Sequence, residues 1–115
     1  MFKVVSAYAP PSPLMPPPLM WGDEDVVRRR LGSEIGELRT ARYRIPFIYP
    51  FGVEEVVRHY RSYFGPLVRA CDRLDPSQQA ALHKDLIELW DRHNQASDGE
   101  VCVESEMLEV VAYKA

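Results

Sequence analysis

Two stretches decide the fold: Glu37-Leu38-Arg39-Thr40-Ala41-Arg42-Tyr43-Arg44-Ile45-Pro46-Phe47-Ile48, and Val101-Cys102-Val103-Glu104-Ser105-Glu106-Met107-Leu108-Glu109-Val110-Val111-Ala112-Tyr113. In the first, Leu38, Thr40, Arg42 and Arg44 alternate against Arg39, Ala41, Tyr43 and Ile45, the period of two that an extended chain imposes. Pro46 and Pro50 end this strand or hold it at a sheet edge, because proline has no N–H to give to an inner ladder. The second stretch also reads as a strand, and its alternation slips between Ser105 and Leu108, as a bulge or an entering loop would cause. Some fifty residues of helical pattern separate the two, too many for a tight hairpin. The strands can still be neighbours in a larger sheet.

The helices between and before them have clear signals. Asp23 caps a first helix that runs to Leu31, and Gly32 suits the left-handed position that ends it. Asp23-Glu24-Asp25 at its start and Arg28-Arg29-Arg30 at its end complement the helix dipole, which accounts for the only basic run in the chain. A second helix starts near Val53, with Val53, Val56, Val57, Tyr60 and Phe64 on one apolar stripe. Gly65-Pro66 breaks it, and Pro66 starts a short helix to Leu74. Asp75-Pro76-Ser77-Gln78 then combines a capping Asp, proline at the first position and Gln at the third. That helix carries Leu82, Leu86, Leu89, Trp90 and His93 on one face and stops near Asn94. Ser97-Asp98-Gly99 makes the turn into the last strand. The expected class is α+β: an antiparallel strand pair with three to four helices packed mainly on one side.

Residues 1–22 stand apart from the expected domain at 23–115. Phe2-Lys3-Val4-Val5 has the composition of a short strand, and six of the ten prolines follow between Pro10 and Pro18. That density favours an extended polyproline arm. Leu14, Met15, Leu19, Met20 and Trp21 are too apolar for a solvated tail, so the arm is expected to lie on a hydrophobic surface of this chain or a neighbour.

At 115 residues and 13.2 kDa, with 46% hydrophobic and 27% charged residues, the chain has room for one domain with a core of its own. A net charge of -3 speaks against nucleic acid, whose binding rests on neutralising phosphates. No run approaches the roughly 18 apolar residues of a membrane span, and prolines occupy the place of a signal-peptide core. Cys71 and Cys102 are far apart among apolar residues and are expected to be free thiols, which together with the rest points to a cytoplasmic protein.

The chemistry-bearing residues are few. The six glycines are scattered, and no two are separated by a single residue, so no turn is built to cradle a nucleotide. His83 and His93 lie ten apart on one helix and point roughly 80° apart, which leaves no metal site there. The group with most promise is on and beside the second helix: Tyr49, Arg58, His59, Arg61 and Tyr63, which could line a substrate pocket next to the apolar stripe. Phe47 and Phe51 join Tyr43 and Tyr49 in an aromatic cluster that core packing explains.

The order of segments resembles a known family. Trp21-Gly22-Asp23-Glu24-Asp25-Val26-Val27-Arg28-Arg29-Arg30-Leu31-Gly32 is similar to a W-G-x-E-x-x-(V/L)-x-x-x-(L/F)-G stretch of bacterial class I S-adenosylmethionine-dependent methyltransferases of the ubiquinone/menaquinone-biosynthesis type. Tyr8-Ala9-Pro10-Pro11-Ser12-Pro13 resembles the proline-rich passage before it. Pro46-Phe47-Ile48-Tyr49-Pro50-Phe51, Tyr60-Arg61-Ser62-Tyr63-Phe64-Gly65-Pro66, Leu86 to Asn94 and Leu108-Glu109-Val110-Val111 follow in the family's order. The resemblance implies the C-terminal, acceptor-side part of a Rossmann-like sheet. It also implies that S-adenosylmethionine, the cofactor of the complete family, is bound by segments without a counterpart in these residues. No catalytic, cofactor-binding or metal-binding residue carries over.

Two functions are therefore expected in competition. One is a truncated or separately encoded methyltransferase part, not catalytic alone and completed by a cofactor-binding half. The other is a stand-alone dimeric binding or interaction module derived from such an enzyme. A small-ligand pocket around Tyr49, His59 and Tyr63 is a third. A homodimer is the expected assembly, because a sheet separated from its neighbours leaves apolar surface to cover.

Overall fold

The computed structural model describes residues 1–14 and 16–115. Among them are five α-helices and two strands: α1 (Phe2–Tyr8), α2 (Glu24–Leu31), β1 (Ile35–Tyr49), α3 (Val53–Tyr63), α4 (Gly65–Asp72), α5 (Pro76–His93) and β2 (Val101–Lys114). Short 3-10 turns lie at Pro18–Gly22 and Gly32–Glu34. The α+β class is as expected, with five helices in place of three to four. β1 and β2 form a two-stranded sheet. Arg42 meets Glu106 and Arg44 meets Glu104 across it, so rising numbers on one strand face falling numbers on the other, as antiparallel pairing requires. The Ala115 N–H donates to the Glu34 carbonyl at 3.1 Å and closes the far end.

The chain divides into two compact units, Met1–Ser12 with Pro46–Val103, and Pro13–Ile45 with Glu104–Ala115. The first is the helical one. Val56, Val57, Leu67, Ala70, Leu82, Leu86, Trp90 and Val101 form its core together with Val5. Each comes from the inward stripe of its element: Val56 and Val57 from α3, Leu67 and Ala70 from α4, Leu82, Leu86 and Trp90 at four-residue spacing on α5. The capping box at Asp75 forms as its sequence implies, with the Asp75 carboxylate accepting from the Gln78 N–H at 2.8 Å and the Gln78 side chain accepting from the Asp75 N–H at 3.1 Å.

The start of the chain departs from expectation. Phe2–Tyr8 is a helix and not a strand, so the arm at 1–22 is not extended throughout. No side chain caps α1. What holds it is packing: Val5 is buried, the Phe2 ring meets Phe64 edge-on at 5.7 Å, and the Tyr8 hydroxyl donates to Asp85 of α5. Burying one face of a short helix outweighs the weak helical preference of Val4 and Val5.

In the second unit, Asp23 caps α2 by accepting from the N–H groups of Asp25 and Val26 at 2.9 and 3.1 Å, and Gly32 ends it at a φ of 67°. Val26 and Val27 are its buried residues. The Arg42 guanidinium reaches the Gly22 carbonyl at 3.0 Å and lies 4.0 Å from the Glu24 carboxylate. Among the described residues no helix is long and apolar enough to cross a membrane.

Candidate functional site

The polar groups of the helical unit gather where α3 passes α5. His83 projects from α5 between two residues of α3. Its Nε2 lies 2.9 Å from the Glu54 carboxylate and its Nδ1 lies 3.2 Å from Nη1 of Arg61. Arg61 can only donate, which suits Nδ1 as the acceptor, and the Glu54 carboxylate accepts, which suits Nε2–H as the donor. Arg61 also donates to the Gln79 amide oxygen at 3.3 Å, while the Gln79 NH₂ donates to the carbonyls of Cys71 and Leu74 at 2.9 and 3.0 Å. One chain of hydrogen bonds thus ties α3, the end of α4 and α5 together. The bond from His83 is the largest influence on Glu54 and holds its carboxyl below the usual range.

Beside this network is an aromatic nest. The hydroxyls of Tyr49 and Tyr60 share a hydrogen bond of 2.7 Å, and both rings lie against Trp90, at 6.1 and 5.2 Å between centroids. Phe51 and Phe64 extend the cluster. Burial first, and the bond to Tyr49 second, push the Tyr60 hydroxyl well above its ordinary range. Tyr60 is therefore a neutral group that bridges a strand end to a helix, with no tendency to serve as a phenolate.

The five residues expected to line a pocket are separated by this arrangement. Tyr49 belongs to the aromatic nest. Arg58 turns along its own helix to Glu54 and Glu55, at 3.4 and 2.7 Å. Arg61 is held in the His83 network. His59 and Tyr63, one turn apart on α3, bring their rings to 5.0 Å, and Tyr63 is 78% exposed. Of the five, only His59 and Tyr63 present a shared surface.

His83, Glu54 and Gln79 are the residues that sequence reasoning passed over. Glu54 and His83 are 29 positions apart, and no local pattern joins them. The available signal was that Glu54, Arg58 and Arg61 share one side of α3, which requires partners wherever that side meets another helix. Because both ring nitrogens of His83 are engaged, the imidazole fastens helices and offers no free base.

Open clefts lie along the described residues of the second unit. One, of about 420 Å³, is bordered by Leu19, Gly22, Asp23, Glu24, Asp25 and Arg42. Another, of about 270 Å³, is bordered by Met20, Val26, Arg29 and Arg30, and the Arg30 guanidinium stacks on the Trp21 ring at 4.5 Å. Among the described residues no three His, Cys, Asp or Glu are grouped to hold a metal ion. Comparison with protein-family models, with curated proteins and with solved structures finds no match to this chain.

Proposed function

We propose that these residues form the acceptor side of an S-adenosylmethionine-dependent methyltransferase, and that the methyl donor is held by a cofactor-binding half outside them. The observation that carries the reading is the long antiparallel pair. β1 and β2, of 15 and 14 residues, are joined through α3, α4 and α5 in the order that the resemblance implies for the end of such a sheet. A two-stranded ribbon is marginal alone and is stabilised by further strands or by a packed helix, and further strands are proposed here. In this reading the exposed His59–Tyr63 pair on α3 contacts the acceptor, and the aromatic nest and the His83 network hold that helix in place.

Calorimetric titration of the isolated chain with S-adenosylmethionine tests the donor half of the proposal. The expected result is no binding heat at millimolar donor. One-to-one binding with a low micromolar dissociation constant would place a donor site within these residues and overturn it.

A further inference from the structure

We propose that one face of the β1–β2 ribbon, centred on Tyr43, Met107, Val111 and Tyr113, is an interface between two copies of this chain. The cross-strand contacts separate the faces. Arg42, Arg44, Glu104 and Glu106 meet one another and so share a face, and Arg42 ties that face to Gly22 and Glu24. Alternation then puts Tyr43 and Met107 on the opposite face. Tyr113 joins them, because its ring lies under the guanidinium of Arg39, which alternates with Tyr43. Val111 follows from Tyr113, two residues along the same strand. These four side chains are 48, 39, 40 and 45% exposed, so this face presents four large apolar groups to solvent.

A second copy fits the chemistry of the face. Its charges are Glu37 and Arg39, bound to each other at 2.8 Å, together with Glu109, so two apolar centres can meet without opposing rows of like charge. The Arg42/Arg44 and Glu104/Glu106 rows, which would oppose themselves in such a pairing, are on the other side. The inference rests on this surface and is independent of the methyltransferase reading, since a cofactor-binding half would add strands at the ribbon's edges.

Sedimentation equilibrium on the full chain provides the test. The expected mass at micromolar concentration is twice 13.2 kDa. Tyr43→Glu combined with Val111→Glu should raise the dissociation constant at least a hundredfold, while Arg44→Glu on the opposite face leaves the dimer intact. Disulfide trapping keeps the test decisive if the double variant does not fold. In a Cys102→Ser background, Met107→Cys should oxidise to a covalent dimer and Arg44→Cys should not. A wild-type mass of 13.2 kDa, a folded double variant that remains dimeric, or trapping through Arg44→Cys instead of Met107→Cys would each overturn the proposal.

Discussion

Glu54 near the start of α3 and His83 in the middle of α5 meet at 2.9 Å, and through His83 the carboxylate is linked to Arg61 in the last turn of α3. This contact makes stability sensitive to acid. The Glu54 carboxyl is held below its ordinary value of 4.5 by the bond from His83. A carboxyl depressed in the folded state contributes stability above its unfolded pKa and loses it as pH falls through the folded value. The melting temperature of the wild type should therefore fall more steeply below about pH 4.5 than that of Glu54→Gln, as followed by circular dichroism across pH 6 to 3. Parallel curves would show that the contact does not carry this dependence.

Tyr60 carries the opposite sign. Its hydroxyl is raised above the ordinary 10.0 by burial and by the bond to Tyr49. Stability from that shift is complete below pH 10 and is lost as pH rises toward the folded value. Ultraviolet titration should find delayed tyrosine ionisation, to which Tyr8, raised first by its hydrogen bond to Asp85, also contributes, and Tyr60→Phe should remove the part that appears only on unfolding. The same variant should cost about 1 kcal/mol at neutral pH through the lost hydrogen bond. A Tyr60 that titrates with the exposed tyrosines would contradict the packing described for the nest.

The two sides of α3 should respond very differently to substitution. Val57 is fully enclosed, and a carboxylate there has no partner, so Val57→Asp should cost on the order of 4 kcal/mol and unfold the helical unit. Arg58→Ala removes only exposed ion pairs and should cost less than about 1 kcal/mol. Thermal melts of the two variants distinguish these outcomes. Similar losses would mean that the helix is rotated from the orientation given.

How far the sequence could be read depended on whether the deciding contact was local. The capping box at Asp75 and the left-handed Gly32 were legible because cap and helix are adjacent in the chain. The β1 and β2 strands were legible from their alternation. α1 was not, because Val4 and Val5 favour a strand locally and the forces that make it helical come from Phe64 and Asp85, more than sixty positions away. The pocket residues fared likewise. The stripe on α3 located Arg58, His59 and Arg61, but which of them faced α5 was decided by His83 and Gln79.

Cap removal compares the two helix starts directly. Asp75→Ala and Asp23→Ala each remove a carboxylate that accepts from backbone N–H groups, and each should cost about 1 kcal/mol. The difference should appear in what melts. Asp75→Ala should lower the transition of the helical unit that holds Trp90, and Asp23→Ala should act on α2, where Trp21 lies near Arg30. Tryptophan fluorescence with either Trp21→Phe or Trp90→Phe as background resolves the two. An Asp75→Ala variant with an unshifted Trp90 signal would contradict the role given to the cap.

Donor labelling of the native protein tests the acceptor-side reading most directly. The chain is recovered from its source cells with an antibody against α5 and irradiated in the presence of S-adenosylmethionine labelled in its methyl group. Label is expected on the polypeptide that carries these residues, within a segment outside them, or on a companion that leaves with it, with competition by unlabelled donor. Recovery of a 13.2 kDa species with no labelled segment and no labelled companion would contradict it.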